Sequence, residues 1–539
     1  MLVMCMKKVL KAKYDCCGMD NSEIIETILD DRNITDVQEF LHPSEDSLIP
    51  FEKLKNIDKA YDIIDEGIAM GYKFCVIWDE DQDGHAAGAI MTKYLQRAGA
   101  DVSYFIHDKK EHGVQNIDLE VFDGVDIIIV VDSLNNDPSI YKKITDSGIF
   151  LIVMDHHIPS QELLNSNVPF VLVSSAVDYP NSQLSGAGVV LKCCLYCDEM
   201  NLTDYADDLW WYGAVGIVAD VCSLAEPENR YIVSKGLNQY QNPIVKKMIG
   251  TYQFNTEAIQ FSIAPLVNAA IRTRHNDLSA QMFLAEDEDE ITEIYPKLKA
   301  CREEQNEIVN GMLPDLMKQG EEQLDKKFMV FFIDETDADI TGLVGNRLLS
   351  EFQRPLIVVR DYGDTISGSM RAIGIPDFMA MVNDTGLARC DGHESAAGFT
   401  CDTDKFEQFR NVIENELADI EFSVDVEADI EITAEQVNEQ LIKQLNAFNR
   451  ISGKDSPAVT VLIRTDNYEV STFSTKKHLK IIDKSGVILV KWNDMSWKMM
   501  NNEGEFIGVG TLAAPYYGRN KFLQLTMNDY VKLDKSEEL

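Results

Sequence analysis

"FCVIWDEDQDGHAAGAIM", Phe74–Met91, decides the fold. Its first five residues are apolar or aromatic, with no polar alternation, as in a strand buried on both faces. Aspartates then stand at every second position, Asp79, Asp81 and Asp83, before Gly84 and a stretch of helical character. Like charges crowded at the end of a buried strand repel one another unless they are protonated or neutralised by a cation. The stretch predicts a strand, a short loop and a helix, with a charged cluster at the strand's carboxyl end.

The same pattern recurs along the chain. "VDIIIVV" (125–131) runs into Asp132, "IFLIVM" (149–154) runs into Asp155, His156 and His157, and "FVLVSS" (170–175) follows. Apolar β-branched runs alternating with helical stretches predict a parallel α/β sheet. In such a sheet the ligand crevice lies outside the carboxyl ends of the strands, so these acids and imidazoles converge on one edge. "GAVGIVADVCSL" adds Asp220 after another apolar run. One aspartate at a strand end is ordinarily a turn or cap residue. Several together, with paired histidines, point to a ligand set. Oxygen ligands with imidazole suit Mn²⁺ or Mg²⁺, and two such ions would activate water and stabilise a leaving oxygen in phosphoryl chemistry.

Around this centre the expected organisation is an N-terminal helical segment over 1–70, packing on the α/β domain of 71–284. A helical linker spans 285–325. A second α/β domain, opening with "FMVFFID", spans 326–423. An acidic helical connector spans 424–456, and an all-β barrel spans 457–539. The 539 residues carry 90 acidic against 49 basic side chains, a formal net charge of −41. That balance argues against general affinity for nucleic acid or anionic membranes, so an anionic substrate must meet a local basic patch or bound cations. Arg464, Lys477, Tyr517 and Arg519 form such a basic and aromatic group in the barrel. The 11 cysteines show no pairing framework. Cys194 and Cys197 form a CxxC without a second pair at zinc spacing, which reads as inert core. No signal peptide or membrane span is expected, and the cysteine usage suits a reduced, cytoplasmic compartment.

The set "DEDQDG", "VVDS", "MDHH" and "GIVADVCSLAEPENR" resembles the DHH phosphoesterases, and within them the RecJ group of single-strand-specific 5′→3′ exonucleases. "LSGAGVVLK" (184–192) and "IAPLVNAAIRTRH" (263–275) resemble further segments of that group. "TGLVGNRLLSEFQRPLIVV", "SGSMRA" and "DGHESAAG" resemble the companion DHHA1 domain, and "GTLAAPYYGRNKFLQL" resembles the end of an oligonucleotide-binding (OB) barrel. The resemblance implies an α/β fold: a DHH parallel-sheet domain and a DHHA1 domain joined by a helical linker, followed by an OB-like barrel. It implies that Asp79, Asp81, Asp83, Asp132, His156 and Asp220 hold two Mn²⁺ or Mg²⁺ ions. Asp132 bridges them, Asp155 orients the histidines and His157 faces the scissile phosphate. Asn268, Arg272, Ser369, Arg371, Gly392 and His393 then contact nucleic-acid phosphate. The implied partner is single-stranded DNA, with a helicase or single-strand-binding protein as candidate protein partners and a monomeric chain. The implied activity is 5′→3′ release of mononucleotides in DNA repair or recombination.

The chain departs from the family pattern at four places. His85 stands where a small residue is usual, as an extra ligand or a solvent-facing imidazole. Asp391 replaces the first glycine of "GGH", and Ile271 replaces the glycine of "NAAGR". "HDKKEHGV" (107–114) matches the family's nucleotide-contacting loop only loosely. Two further readings stay open: a DHH phosphodiesterase of short oligonucleotides or cyclic dinucleotides, and a RecJ-derived scaffold that binds without cutting.

Overall fold

A computed structural model describes residues 8–107, 113–115, 117–334, 339–420, 424–517 and 519–533. The chain divides into two compact units. One comprises Asn33–Arg302 with Ala447–Ala458; the other comprises Met1–Arg32, Glu303–Asn446 and Val459–Leu539.

The first unit is built on a five-stranded sheet, parallel throughout. Its spatial order is Asp101–Ile106, Lys73–Trp78, Ile127–Val131, Phe150–Asp155, Val171–Ser174. The second strand in sequence lies on one side of the first, and the third lies on the other. This reversal places a crevice between Lys73–Trp78 and Ile127–Val131, where doubly wound sheets bind their ligands. Both strands are apolar without alternation because both faces are covered. Phe74, Val76, Trp78, Ile127 and Ile129 enter one core with the long helices. Cys75, Ile77, Ile128 and Val130 enter the opposite core with Phe122 and Tyr141. The helix Gln82–Arg97 lies directly on the sheet. Gly88 allows that approach, since a Cβ there would come 2.1 Å from the Trp78 ring.

Among the described residues the second unit holds two larger sheets and a two-stranded one, Tyr516–Tyr517 with Asn520–Lys521. One of the larger sheets is five-stranded, in the order Ala388–His393, Ala396–Asp402, Thr365–Arg371, Leu356–Asp361, Met329–Phe332, with only the last pair parallel. The other is eight-stranded and carries the C-terminal β region, Val461–Thr465 to Gln524–Leu533. Within 285–325 runs one long helix, Glu288–Glu321.

Two expectations are corrected. Residues 1–70 are not all helical, and their first part belongs to the second unit: Lys8–Asp15 is a strand at the edge of the eight-stranded sheet. Nor is 424–456 a helical connector throughout, because Val424–Glu431 is a strand pairing in parallel with Lys8–Asp15. "VDVEADIE" alternates with period two, and its acidic half obscures that pattern. Ala428 is buried with Leu10, Leu462, Ile507 and Val509 in a core that only distant pairing creates. Among the described residues no helix is long and apolar enough to cross a membrane.

Candidate metal centre

Only Asp79, Glu80 and Asp81 separate the Lys73–Trp78 strand from the Gln82–Arg97 helix. Asp81 is that helix's N-cap, its carboxylate accepting from Gly84 N at 2.9 Å. Asp83 lies in the first turn, buried, and accepts from Ser185 Oγ at 3.0 Å, Gly186 N at 2.8 Å and Ala187 N at 3.1 Å. The positive end of the Gly186–Asn201 helix therefore points at an aspartate from another motif. Two glycines make room for the acids. A Cβ on Gly186 would come 2.3 Å from Asp132 Oδ1, and one on Gly216 would come 2.0 Å from Asp83 Oδ1.

Asp132 follows the Ile127–Val131 strand with φ +58° and is 2% exposed. Among the described residues its Oδ1 accepts no hydrogen bond, and it lies 3.3 Å from His156 Nε2. His156 Nδ1 in turn lies 3.7 Å from Asp220 Oδ2. Asp155, fully buried, turns one oxygen to its neighbours: Oδ1 accepts from His156 N at 2.5 Å, His157 N at 3.0 Å and His157 Nδ1 at 2.8 Å. Asp79 accepts from Ser133 Oγ at 2.6 Å.

Three sets have ligand atoms all within 4.8 Å of one another: Asp79, Asp81 and Asp132; Asp83, His156 and Asp220; and Asp132, Asp155, His156 and His157. Asp132 belongs to two of them. A buried carboxylate oxygen without a donor is costly, and several together more so. A hard divalent cation supplies the missing partner, and this donor set of carboxylates with imidazole fits one.

The electrostatics agree. Burial, then neighbouring carboxylates, push the Asp81 carboxyl up to about 6, and push Asp83 and Asp132 well above the ordinary carboxylate range. Asp155 moves the other way: burial opposes its ionisation, but the hydrogen bond and charge of His157 outweigh it. That hydrogen bond raises His157 to about 9 against its own desolvation, while burial lowers His156. His156 is thus neutral at neutral pH, the form in which an imidazole can hold a metal, and His157, 58% exposed at its side chain, is a cation.

A pH dependence follows for the metal-free chain. A carboxyl whose folded pKa is raised contributes stability at low pH, and that contribution is lost as pH rises through the folded value. For Asp81 the loss runs from the ordinary range near 4 up through about 6, and for Asp83 and Asp132 it continues higher. In EDTA, Asp132→Asn is therefore expected to melt about 3 °C above the unsubstituted chain at pH 8, with the advantage shrinking towards pH 5. Scanning fluorimetry across that range checks it, and an equal difference at both pH values contradicts it.

Asp155→Asn keeps an oxygen acceptor but removes the negative charge that holds His157 protonated. Any hydrolysis at this centre is expected to lose about 10–100-fold. The loss should be larger at pH 8 than at pH 6, because the imidazolium then no longer survives to high pH; a pH-independent loss would contradict this role.

The nucleic-acid candidates fall on different elements. Asn268 and Arg272 are partly buried on the helix Ala264–Arg272. Ser369 Oγ lies 2.8 Å from Thr341 Oγ1, and Arg371 donates from Nε to Asn346 Oδ1 at 2.7 Å. Gly392 adopts φ +142°, with His393 exposed beside it. The divergent Asp391 pairs with Arg389 at 2.9 Å, so its charge is partly answered locally. Arg464 is engaged by Glu431 at 2.8 Å and Glu505 at 3.7 Å. Lys477 and Arg519 are exposed. Tyr517 sits in the short strand Tyr516–Tyr517; its side chain, and residues 108–112 of the loosely matching loop, lie outside the described residues.

His85 is not solvent-facing: it is wholly buried, its Nδ1 2.8 Å from Asp81 O and its ring edge-on to Trp78. Among the described residues it joins no ligand set. Cys194 and Cys197 are buried, and desolvation pushes both thiols up, Cys197 to about 12.

Sequence reasoning missed one polar core. Lys192 Nζ, fully buried, meets Glu228 Oε1 at 2.7 Å. The signal was a lysine inside the apolar run "GVVLKCC", but nothing local named its partner.

Comparison with known proteins finds similar domains, sequences and folds. Residues 73–217 match the DHH family, N-terminal domain, and residues 325–419 match the DHHA1 domain. YorK of the SPbeta prophage of Bacillus subtilis, named a putative single-strand DNA-specific exonuclease, is 29% identical over 466 residues. The match covers 79% of this chain and 80% of that relative. The single-stranded-DNA-specific exonuclease RecJ of Bacillus subtilis is 25% identical over 468 residues, covering 82% of this chain and 58% of RecJ. In fold, the crystal structure of Thermus thermophilus RecJ in complex with Mn²⁺ superposes with a TM-score of 0.78 at 22% identity, over 98% of this chain and 80% of that one. The chain carries a DHH domain followed by a DHHA1 domain, and its fold is similar to that of RecJ.

Proposed function

We propose that this chain is a metal-dependent exonuclease of single-stranded DNA, degrading 5′→3′ and releasing mononucleotides in repair or recombination. The observation that carries the reading is the buried Asp132 Oδ1, which among the described residues lacks a hydrogen-bond donor and belongs to two of the three candidate ligand sets. Asp79, Asp81, Asp83, Asp132, His156 and Asp220 are the proposed holders of two Mn²⁺ or Mg²⁺ ions. Such ions, when bound, lower the pKa of water and offset negative charge on a phosphodiester.

The chain's own groups supply the rest. Asp155 fixes the His157 ring, and the exposed imidazolium is placed to donate to phosphate oxygens as charge builds on them. His156, kept neutral by burial, stays available as a ligand. No covalent nucleophile is needed. Asn268, Arg272, Ser369, Arg371, Gly392 and His393, with Arg464, Lys477, Tyr517 and Arg519, are the proposed contacts along the strand. The names of the relatives support the substrate class; polarity, the number of ions and repair partners such as a helicase or single-strand-binding protein are part of the proposal. So are a cytoplasmic site of action and a monomeric state.

The test is incubation of the purified chain and Mn²⁺ with 5′-labelled single strands, duplexes and dinucleotides. Labelled mononucleotide is expected first from the single strand, with none after EDTA. Release from the other end first overturns the polarity, and cleavage of dinucleotides alone overturns the exonuclease reading. Binding without cleavage overturns the enzyme itself.

A further inference from the structure

Ser133 follows Asp132 directly but plays no part in the ligand sets. It is 1% exposed, and its hydroxyl makes two short contacts, each 2.6 Å: one to Asp79 Oδ1 and one from Gly113 N. An amide N–H can only donate, so the hydroxyl's single proton is left for the carboxylate. Asp79 thereby has one oxygen fixed in direction.

The contact continues away from the centre. Gly113 is held tightly: it adopts φ +56°, and a Cβ on it would come 2.4 Å from Ser133 O. Its carbonyl lies 2.7 Å from His107 Nε2, which must carry the proton because a carbonyl only accepts. The His107 carbonyl in turn accepts from Asn276 Nδ2 at 2.9 Å. Asn276 begins the helix Asn276–Leu284, next along the chain from the helix of Asn268 and Arg272. His107, Ser133 and Asn276 are all buried, so bulk water does not compete for these bonds.

We infer that Ser133 is a positioning residue for Asp79, and that the buried chain Asn276–His107–Gly113–Ser133 ties that carboxylate's orientation to the helix Asn276–Leu284. The inference rests on the metal reading of the centre. Hydrogen-bond partners of metal ligands set ligand direction, and their loss weakens binding about 10–100-fold. Disturbing the remote end should act through the same bond rather than independently.

The experiment is calorimetric titration of the full chain with MnCl₂, without DNA, for the unsubstituted protein, Ser133→Ala, Ser133→Cys, Asn276→Ala and Ser133→Ala/Asn276→Ala. Circular dichroism and metal-free melting accompany each variant. Ser133→Ala is expected to weaken Mn²⁺ about 10–100-fold, and Ser133→Cys, which keeps a donor, less. Asn276→Ala should weaken it in the same direction and add little to Ser133→Ala. Affinity unchanged in Ser133→Ala overturns the positioning role, and additive losses in the double variant overturn the chain. Should Ser133→Ala fail to fold, Ser133→Cys and Asn276→Ala carry the comparison, and unchanged affinity in both overturns the inference. An unsubstituted chain that binds no Mn²⁺ instead removes the metal reading itself, so the two failures are distinguishable.

Discussion

Asp132→Asn is expected to lower the proposed single-strand hydrolysis by about 10³-fold or more while leaving the fold intact. Two of the three ligand sets share this residue, so its loss weakens both at once. The amide keeps the carboxylate's shape but not its charge. Asparagine also tolerates the left-handed backbone, φ +58°, that Asp132 occupies, where alanine would add strain. Circular dichroism should therefore match the unsubstituted chain, and the metal-free variant should gain stability at high pH as described above. The rise in melting temperature caused by Mn²⁺ should largely vanish. Single-turnover hydrolysis with saturating Mn²⁺ measures the effect, and activity within about tenfold of the unsubstituted chain would contradict a shared-ligand role.

The second large effect concerns stability. Glu228→Ala is expected to destabilise the unit containing the candidate metal centre by about 3–5 kcal/mol, because it strands a buried cation. Lys192 Nζ has Glu228 Oε1 as its anion and the Ile49 carbonyl, at 2.5 Å, as its other acceptor. The same carboxylate accepts from Tyr179 Oη at 2.7 Å, Asn181 Nδ2 at 3.0 Å and Ile49 N at 3.1 Å, so three more donors lose a partner. Burial already lowers the Lys192 pKa, against the pull of Glu228. Without Glu228 the amine is expected to bury as the neutral form or to drag water inwards. Removing both charges should recover much of the loss, so Lys192→Met/Glu228→Gln is expected to lie well above Glu228→Ala in urea unfolding. A loss below about 1 kcal/mol in Glu228→Ala would show that the pair does not hold the core.

These two residues differ in how far the sequence announced them. Asp132 ends an unbroken apolar run, and a carboxylate there is anomalous unless a ligand explains it. The strands that carry the centre were legible for the same reason: burial on both faces removes alternation, and each run stops at a charge. Glu228 lay inside a recognised motif, but its partner Lys192 sits on another helix, and no local pattern joins them. The strand Lys8–Asp15 was illegible because its partner, Val424–Glu431, is brought beside it only by the fold. His85 misled for a related reason. A histidine beside three aspartates suggests a ligand, yet the helix that starts at Gln82 turns its ring onto Trp78.

The amino-acid sequence by itself determined the kinds of chemical group at this centre and their order along the strands. It also determined the parallel α/β character that gathers them at one edge, since those follow from residue type and local burial pattern. Only the tertiary structure decided the division of labour among the acids. Asp83 is satisfied by the Gly186–Asn201 helix, Asp79 is held by Ser133, Asp155 commits its Oδ1 to His157, and among the described residues Asp132 Oδ1 and Asp155 Oδ2 have no donor. The physical reason is that a carboxylate's role is set by which donors point at it, and most of those donors come from other elements of the chain.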